Sequence, residues 1–187
     1  MGIRLSLTLT WLLAVLVATP AWAQQSGQAP SGLALHAPAF GDHEDIPVRY
    51  TCDGENISPA LNWSGVPDGV KSFALIIDDP DAPDPKAPKR TWVHWVVYNL
   101  PAAARGLERG AGAQDHPVGA DLGSNSWQRG HYGGPCPPIG KHRYFFKLYA
   151  LDTRLRGLGH PGARGLRDAM QGHILARAQL VGLYRRH

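Results

Sequence analysis

The chain has 187 residues, 43% of them hydrophobic, with 19 Lys+Arg against 15 Asp+Glu and a formal net charge of +4. That length suits one domain with a sizeable core and is short for two. The basic residues are dispersed, with no block of the kind that grips a nucleic-acid backbone, so no nucleic-acid partner is expected.

The opening MGIRLSLTLTWLLAVLVATPAWA carries one positive charge at Arg4, an apolar run over residues 5–18, the breaker Pro20 and the small-residue ending Ala21-Trp22-Ala23. This is the layout of a secretory signal peptide spanning residues 1–23 and cleaved after Ala23. The apolar run falls short of the roughly 20 residues needed to span a bilayer, so no transmembrane anchor is expected after cleavage. A periplasmic or secreted location is expected from that layout. Residues 24–31 are polar and read as a flexible N-terminal segment, and residues 32–187 as a single domain.

Short strands separated by Pro, Gly and Asp dominate the domain from residue 33 to residue 151. Residues 33–40 and 46–51 are expected as strands, the second ended by Cys52-Asp53-Gly54. Residues 61–64 form a short strand before the turn Val66-Pro67-Asp68-Gly69. SFALIID, residues 72–78, has the nearly continuous apolar character of a strand inside a sheet. WVHWVVYNL, residues 92–100, is a second long strand, and strict alternation puts Trp92, His94, Val96 and Tyr98 on one face and Val93, Trp95, Val97 and Asn99 on the other. Residues 143–151 close the strand series. After Pro161 the positions Leu166, Ala169, Met170, His173, Ile174, Arg177, Ala178 and Val181 recur every three or four residues, which predicts a C-terminal helix packed by one face. His173 reads there as a packed or hydrogen-bonded helix residue. The fold class is mainly β, mostly antiparallel, with a late helix.

Chemistry concentrates in two proline-stiffened stretches. Asp78-Asp79-Pro80-Asp81-Ala82-Pro83-Asp84-Pro85 brings several carboxylates to the point where a strand leaves the core, where each must be paired, hydrogen-bonded or exposed. GPCPPIGKHRY, residues 134–144, holds His142 and Tyr144 behind Pro135, Pro137 and Pro138. His94, His142 and Tyr144 can meet the carboxylates at one end of a sheet. Imidazoles and a phenol donate hydrogen bonds to phosphate oxygens, the imidazoles better when protonated. Asp79 suits orienting an imidazole or accepting from an ammonium. Arg143, one position beyond His142, is expected to face away as an ion-paired or surface group. Two histidines and an aspartate would suit zinc, but no HExxH pattern is present and no metal is expected. Ser124 and Ser126 lie outside any GxSxG elbow and read as loop caps. Trp127, in a glycine-rich loop, is read as walling a ligand, anchoring a partner or packing on its own loop. Cys52 and Cys136, an even pair, are a disulfide candidate in an oxidising compartment, with two separate buried thiols as the alternative.

DPDAP at 79–83, WVHW at 92–95 and GPCPPIGKHRY at 134–144, together with YTCDG at 50–54 and MQGHIL at 170–175, resemble the phosphatidylethanolamine-binding protein family, in its bacterial branch often called Raf-kinase-inhibitor-like. The resemblance covers residues 33–184. It implies a large central antiparallel sheet with a smaller flanking sheet and a shallow pocket for small anions and phosphorylated head groups. Carried over by motif, the pocket residues are Asp79, His94, Pro138, His142 and Tyr144, with a cis peptide before Pro83. The function implied is binding of a small anionic or zwitterionic phosphorylated ligand without a cofactor or catalytic residues. The alternatives are modulation of an extracytoplasmic protein partner by surface contact, or weak phosphoester hydrolysis using His142 and His94.

Overall fold

The computed structural model describes residues 1–2, 32–113 and 117–186. The expected signal peptide, apart from residues 1–2, and the whole segment 24–31 lie outside the described residues. The strands are β1 (Ala34–His36), β2 (Glu44–Asp45), β3 (Leu61–Ser64), β4 (Ser72–Asp79), β5 (Trp92–Pro101), β6 (Gly106–Leu107), β7 (Asp121–Leu122), β8 (His142–Leu151) and β9 (Ile174–Tyr184). Among the described residues there is a single α-helix, α1 (Ala163–Ala169), which precedes β9. Among the described residues no helix is long and apolar enough to cross a membrane.

Two sheets result. The larger runs β2-β9-β8-β4-β5-β7 and the smaller β1-β3-β6. Among these strand pairings β2–β9 is the parallel one, and an isolated parallel bridge joins Ser124 and Gly162. β4 is buried along its whole length, as its apolar sequence requires, and lies between β5 and β8. Its side chains alternate between two cores. Phe73, Leu75 and Ile77 meet Leu35, Leu61 and Trp63 of the small sheet. Ala74 and Ile76 meet Leu166 and Met170 around α1 on the far face.

Three expectations are corrected. The 46–51 segment is not a strand: after β2 it winds into a short 3-10 turn, Val48–Tyr50, closed by Tyr50 N–H to Pro47 O. Pro47 lacks the N–H that a sheet ladder needs. Strand β1 stops at His36, and Ala37 and Phe40 bridge across a turn instead of extending it. The largest correction concerns the C-terminus. α1 ends at Ala169, Gly172 turns the chain with φ +81°, and residues 174–184 form a long strand against β8. The helical stripe through His173, Ile174, Ala178 and Val181 is not used. A period of two takes over: Ala176 and Ala178 pack against the inter-sheet core, of which Leu180 is a buried member. His173 sits in the connecting turn, exposed, and hydrogen-bonds Asp152 at 2.9 Å.

Candidate functional site

Because β4 is antiparallel to both neighbours, its C-terminal end meets the N-terminal ends of β5 and β8. Asp79, Trp92, His94, His142 and Tyr144 therefore gather at one end of the large sheet. With Ala82, Pro83, Arg90, Trp127, Cys136, Pro137 and Pro138 they line a cavity of about 280 Å³. The structure thus brings together all five residues carried over by motif.

His94 reaches this cavity through a β-bulge. Ile77 pairs with Trp95 and Asp78 with Val93, leaving His94 as an extra residue on β5. A bulge reverses the alternation and re-aims a side chain. Trp95 and Val97 accordingly pack in the inter-sheet core, whereas Val96 and Tyr98 turn to the helix side. The expected grouping of His94 with Val96 and Tyr98 is overturned: its ring lies edge-on to Tyr144 of the inter-sheet core, at 5.2 Å between centroids.

The His94 ring is 2% exposed, and its Nδ1 lies 2.6 Å from Gly133 O. A carbonyl only accepts, so Nδ1 carries the proton and Nε2 presents a lone pair in the neutral ring. Burial pulls the His94 pKa from an ordinary 6.5 to about 4. The ring is therefore neutral at pH 7, and the protonated form that would donate best to a phosphate is not its resting state. Its Nε2 and the hydroxyl of Tyr144 are buried and, like Trp95 Nε1 in the core, have no hydrogen-bond partner among the described residues. Burial also raises the Tyr144 pKa, so its hydroxyl keeps its proton.

His142 is fully buried and differently occupied. Its Nε2 donates to Ile139 O at 2.9 Å, and its Nδ1 faces Asp79 Oδ2 at 2.7 Å. Both nitrogens are engaged, so His142 shapes the wall and orients Asp79 without a free donor for a ligand. Asp79 also accepts the Asp81 N–H at 2.8 Å. Burial, the largest influence on Asp79, raises its pKa despite the opposing bond from His142.

The carboxylate-rich loop divides its labour. Asp81 clamps Arg143 through Nε at 2.9 Å, NH2 at 2.6 Å and the backbone N–H at 3.0 Å, the ion pair expected for that arginine. That bond to Arg143 lowers the Asp81 pKa. Asp84 accepts the Lys86 N–H, a self-capped turn. The Ala82–Pro83 peptide is cis.

The opposite wall comes from residues 124–138. Buried Asn125 accepts the N–H groups of Trp127 and Arg129 and donates to His131 O. Ser126 Oγ accepts the Val93 N–H, a cap as expected. Trp127 stands edge-on to Trp92 and His94, at 5.2 and 5.4 Å. Gly133 leaves room for it: a Cβ there would come within 2.5 Å of the Trp127 ring. A disulfide joins Cys52 to Cys136, and Cys52 N–H donates to Pro135 O. The proline wall is thereby tied to the 50–54 loop. Sequence reasoning missed Arg90, exposed with its guanidinium 4.7 Å over the Trp92 ring, and Trp92 itself. A cation two residues ahead of an aromatic strand start was the available signal.

The phosphatidylethanolamine-binding protein family model matches residues 36–185, and the chain belongs to that family. It is 52% identical over 155 residues to a UPF0098 protein of Methanothermobacter thermautotrophicus, covering 81% of this chain and 98% of that one. Among solved structures it is similar to CT736 of Chlamydia trachomatis, described as a homologue of phosphatidylethanolamine-binding protein, with a TM-score of 0.76 and 40% identity over 84% of this chain and 99% of that one. It is also similar to YbcL of E. coli, described as a member of the mammalian family, with a TM-score of 0.74 and 32% identity over 83% and 99%.

Proposed function

We propose that this cavity binds a small phosphorylated ligand, such as phosphate or phosphoethanolamine, and that the chain is an exported binding protein. The carrying observation is a pair of buried atoms on residues that line it, His94 Nε2 and the Tyr144 hydroxyl, which have no partner among the described residues. Buried polar groups are normally paired, so these are the groups that a ligand completes. Tyr144 offers a donor to an oxyanion, and Arg90 at the rim supplies the attracting charge. Asp79 serves the ammonium of a zwitterion. A cavity of about 280 Å³ holds a head group and leaves lipid chains outside.

The activity is binding without turnover. His142 has both ring nitrogens committed to the protein, and Ser126 is committed as a cap. The signal-peptide layout of residues 1–23 supports a periplasmic or secreted location, and a 52–136 disulfide suits such a compartment.

Calorimetric titration of phosphate and O-phosphoethanolamine at pH 7 tests this with wild type, Tyr144→Phe, Arg90→Ala and Arg185→Ala. Losing a hydrogen bond to a charged ligand weakens binding about tenfold or more, so Tyr144→Phe and Arg90→Ala bind weakly and Arg185→Ala binds normally. Absence of binding by wild type, or loss only in Arg185→Ala, overturns the proposal.

A further inference from the structure

We infer that the cavity selects phosphomonoesters carrying a P–OH group over phosphodiesters and sulfate, the P–OH being donated to His94 Nε2 while Tyr144 donates to a second phosphoryl oxygen. This rests on the phosphate-pocket reading and narrows its ligand class.

The tautomer of His94 carries the inference. Gly133 O accepts from Nδ1 at 2.6 Å, which leaves Nε2 as an acceptor in the neutral ring. That atom is buried and has no hydrogen-bond partner among the described residues. A fully deprotonated anion sets oxygen lone pairs against this nitrogen lone pair, and repulsion in a desolvated site is costly. Asp79 adds a carboxylate to the same wall. Around His94 the charged and titratable groups are Asp79 from β4, Arg90 from the loop before β5, and His142 and Tyr144 from β8. The loop 124–138 contributes Trp127, Pro137 and the Gly133 carbonyl, with the Tyr132 phenol bonded away to Tyr50 O. Of these, only Arg90 carries a positive charge independent of pH. It stands over Trp92 at the rim and attracts the anion without supplying a proton to Nε2. Burial favours the neutral His94 ring as well.

A phosphomonoester has a second pKa near 6 and so retains a proton on a useful fraction of molecules near neutral pH. Sulfate and a phosphodiester have none to give. A site built around an unpaired polar group rejects ligands that leave it unpaired, by about tenfold at least. The ligand is then a free phosphomonoester and not the diester head group of an intact phospholipid.

The test is calorimetry on the wild-type protein at matched ionic strength with three probes: O-phosphoethanolamine, glycerophosphoethanolamine and sulfate. Expected are binding of O-phosphoethanolamine at least about tenfold tighter than either other probe at pH 6, and weakening of its binding by more than about tenfold between pH 5.5 and 8 as the P–OH ionises. Equal binding of glycerophosphoethanolamine would show the ammonium or the ester oxygens to be sufficient and overturns the inference. Sulfate binding that strengthens on acidification would show that His94 takes up a proton itself, and overturns it too. Either result leaves the phosphate-pocket reading standing. Failure of all three probes at every pH overturns both.

Discussion

Asp78 and Asp79 are consecutive at the end of β4, yet their carboxylates serve opposite faces of the sheet. Asp78 receives Lys147 at 2.6 and 2.8 Å on the helix side, while Asp79 meets His142 at 2.7 Å on the cavity side. Each face of the sheet thus carries one buried acid with its own partner, and the cavity-side pair is the more sensitive because His142 is fully enclosed.

Replacing Asp79 tests that pair. Asp79→Ala leaves His142 Nδ1 buried without a partner and removes the acceptor for the Asp81 N–H, a loss of about 3–5 kcal/mol by analogy with other broken buried pairs. Asp79→Asn keeps both contacts, its amide donating to an unprotonated Nδ1 while its carbonyl accepts from Asp81, and costs about 1 kcal/mol. Urea unfolding at pH 7 measures both, and equal losses in the two variants contradict the pairing.

His94 makes the fold acid-sensitive. Its pKa is 6.5 when unperturbed and about 4 in the folded protein. The unfolded chain therefore takes up the proton first, so the contribution of His94 is complete above pH 6.5 and is lost as pH falls toward and below 4. The shift corresponds to about 3 kcal/mol. Asp79 acts in the opposite sense, since a carboxyl whose folded pKa is raised favours the fold on acidification. Comparing wild type with His94→Gln isolates the histidine: between pH 7 and 4.5 the wild type loses about 2–3 kcal/mol more than the variant. Parallel stability profiles would remove His94 as the cause.

Much of the cavity was legible because its residues lie where strands visibly begin and end. SFALIIDD leaves the core at Asp79, and WVHWVV and HRYFFKLYAL enter beside it, so antiparallel pairing brings the three together. The bulge at His94 was not legible, since WVHWVV alternates acceptably in either phase and only the pairing with β4 shows the extra residue. The final segment failed for a related reason. Ala178 satisfies the helical stripe and the strand face equally, and Gly172 does more than weaken a helix there: its positive φ turns the chain out of it. Pro47 converts residues 46–51 from strand to turn, a local rule outweighing composition.

Gly133 keeps space for Trp127, and the ring should move when that space is filled. Gly133→Ala puts a methyl group within 2.5 Å of the ring edge. Trp127 is only partly buried and can swing away, so the stability loss is limited to about 1 kcal/mol, the low end for overpacking. The edge-on contacts of Trp127 with Trp92 and His94 are then lost, and the near-UV circular dichroism of the tryptophan pair falls. O-phosphoethanolamine affinity drops with it, by about tenfold if Trp127 closes the wall as one bound contact's worth. An unaltered near-UV spectrum would show that the ring does not depend on Gly133.

The Cys52–Cys136 bridge acts on both stability and the cavity, because it closes a separation of 84 residues and Cys136 itself lines the wall. From sequence, neither cysteine had a place at the ligand. Removing the cross-link in Cys52→Ser/Cys136→Ser frees the unfolded chain and costs about 3–5 kcal/mol on the loop-entropy estimate. The proline wall keeps other ties: Cys52 N–H to Pro135 O, Gly134 N–H to Asn56 Oδ1 at 2.8 Å, and Tyr132 hydroxyl to Tyr50 O at 2.9 Å. The cavity therefore survives with a looser wall. Denaturant unfolding of oxidised wild type and the double serine variant should show the stability gap, and calorimetry should show O-phosphoethanolamine bound by both, less tightly by the variant. Identical affinities would mean that hydrogen bonds alone fix Pro137 and Pro138. Free thiols in denatured, unreduced wild type would remove the bridge altogether.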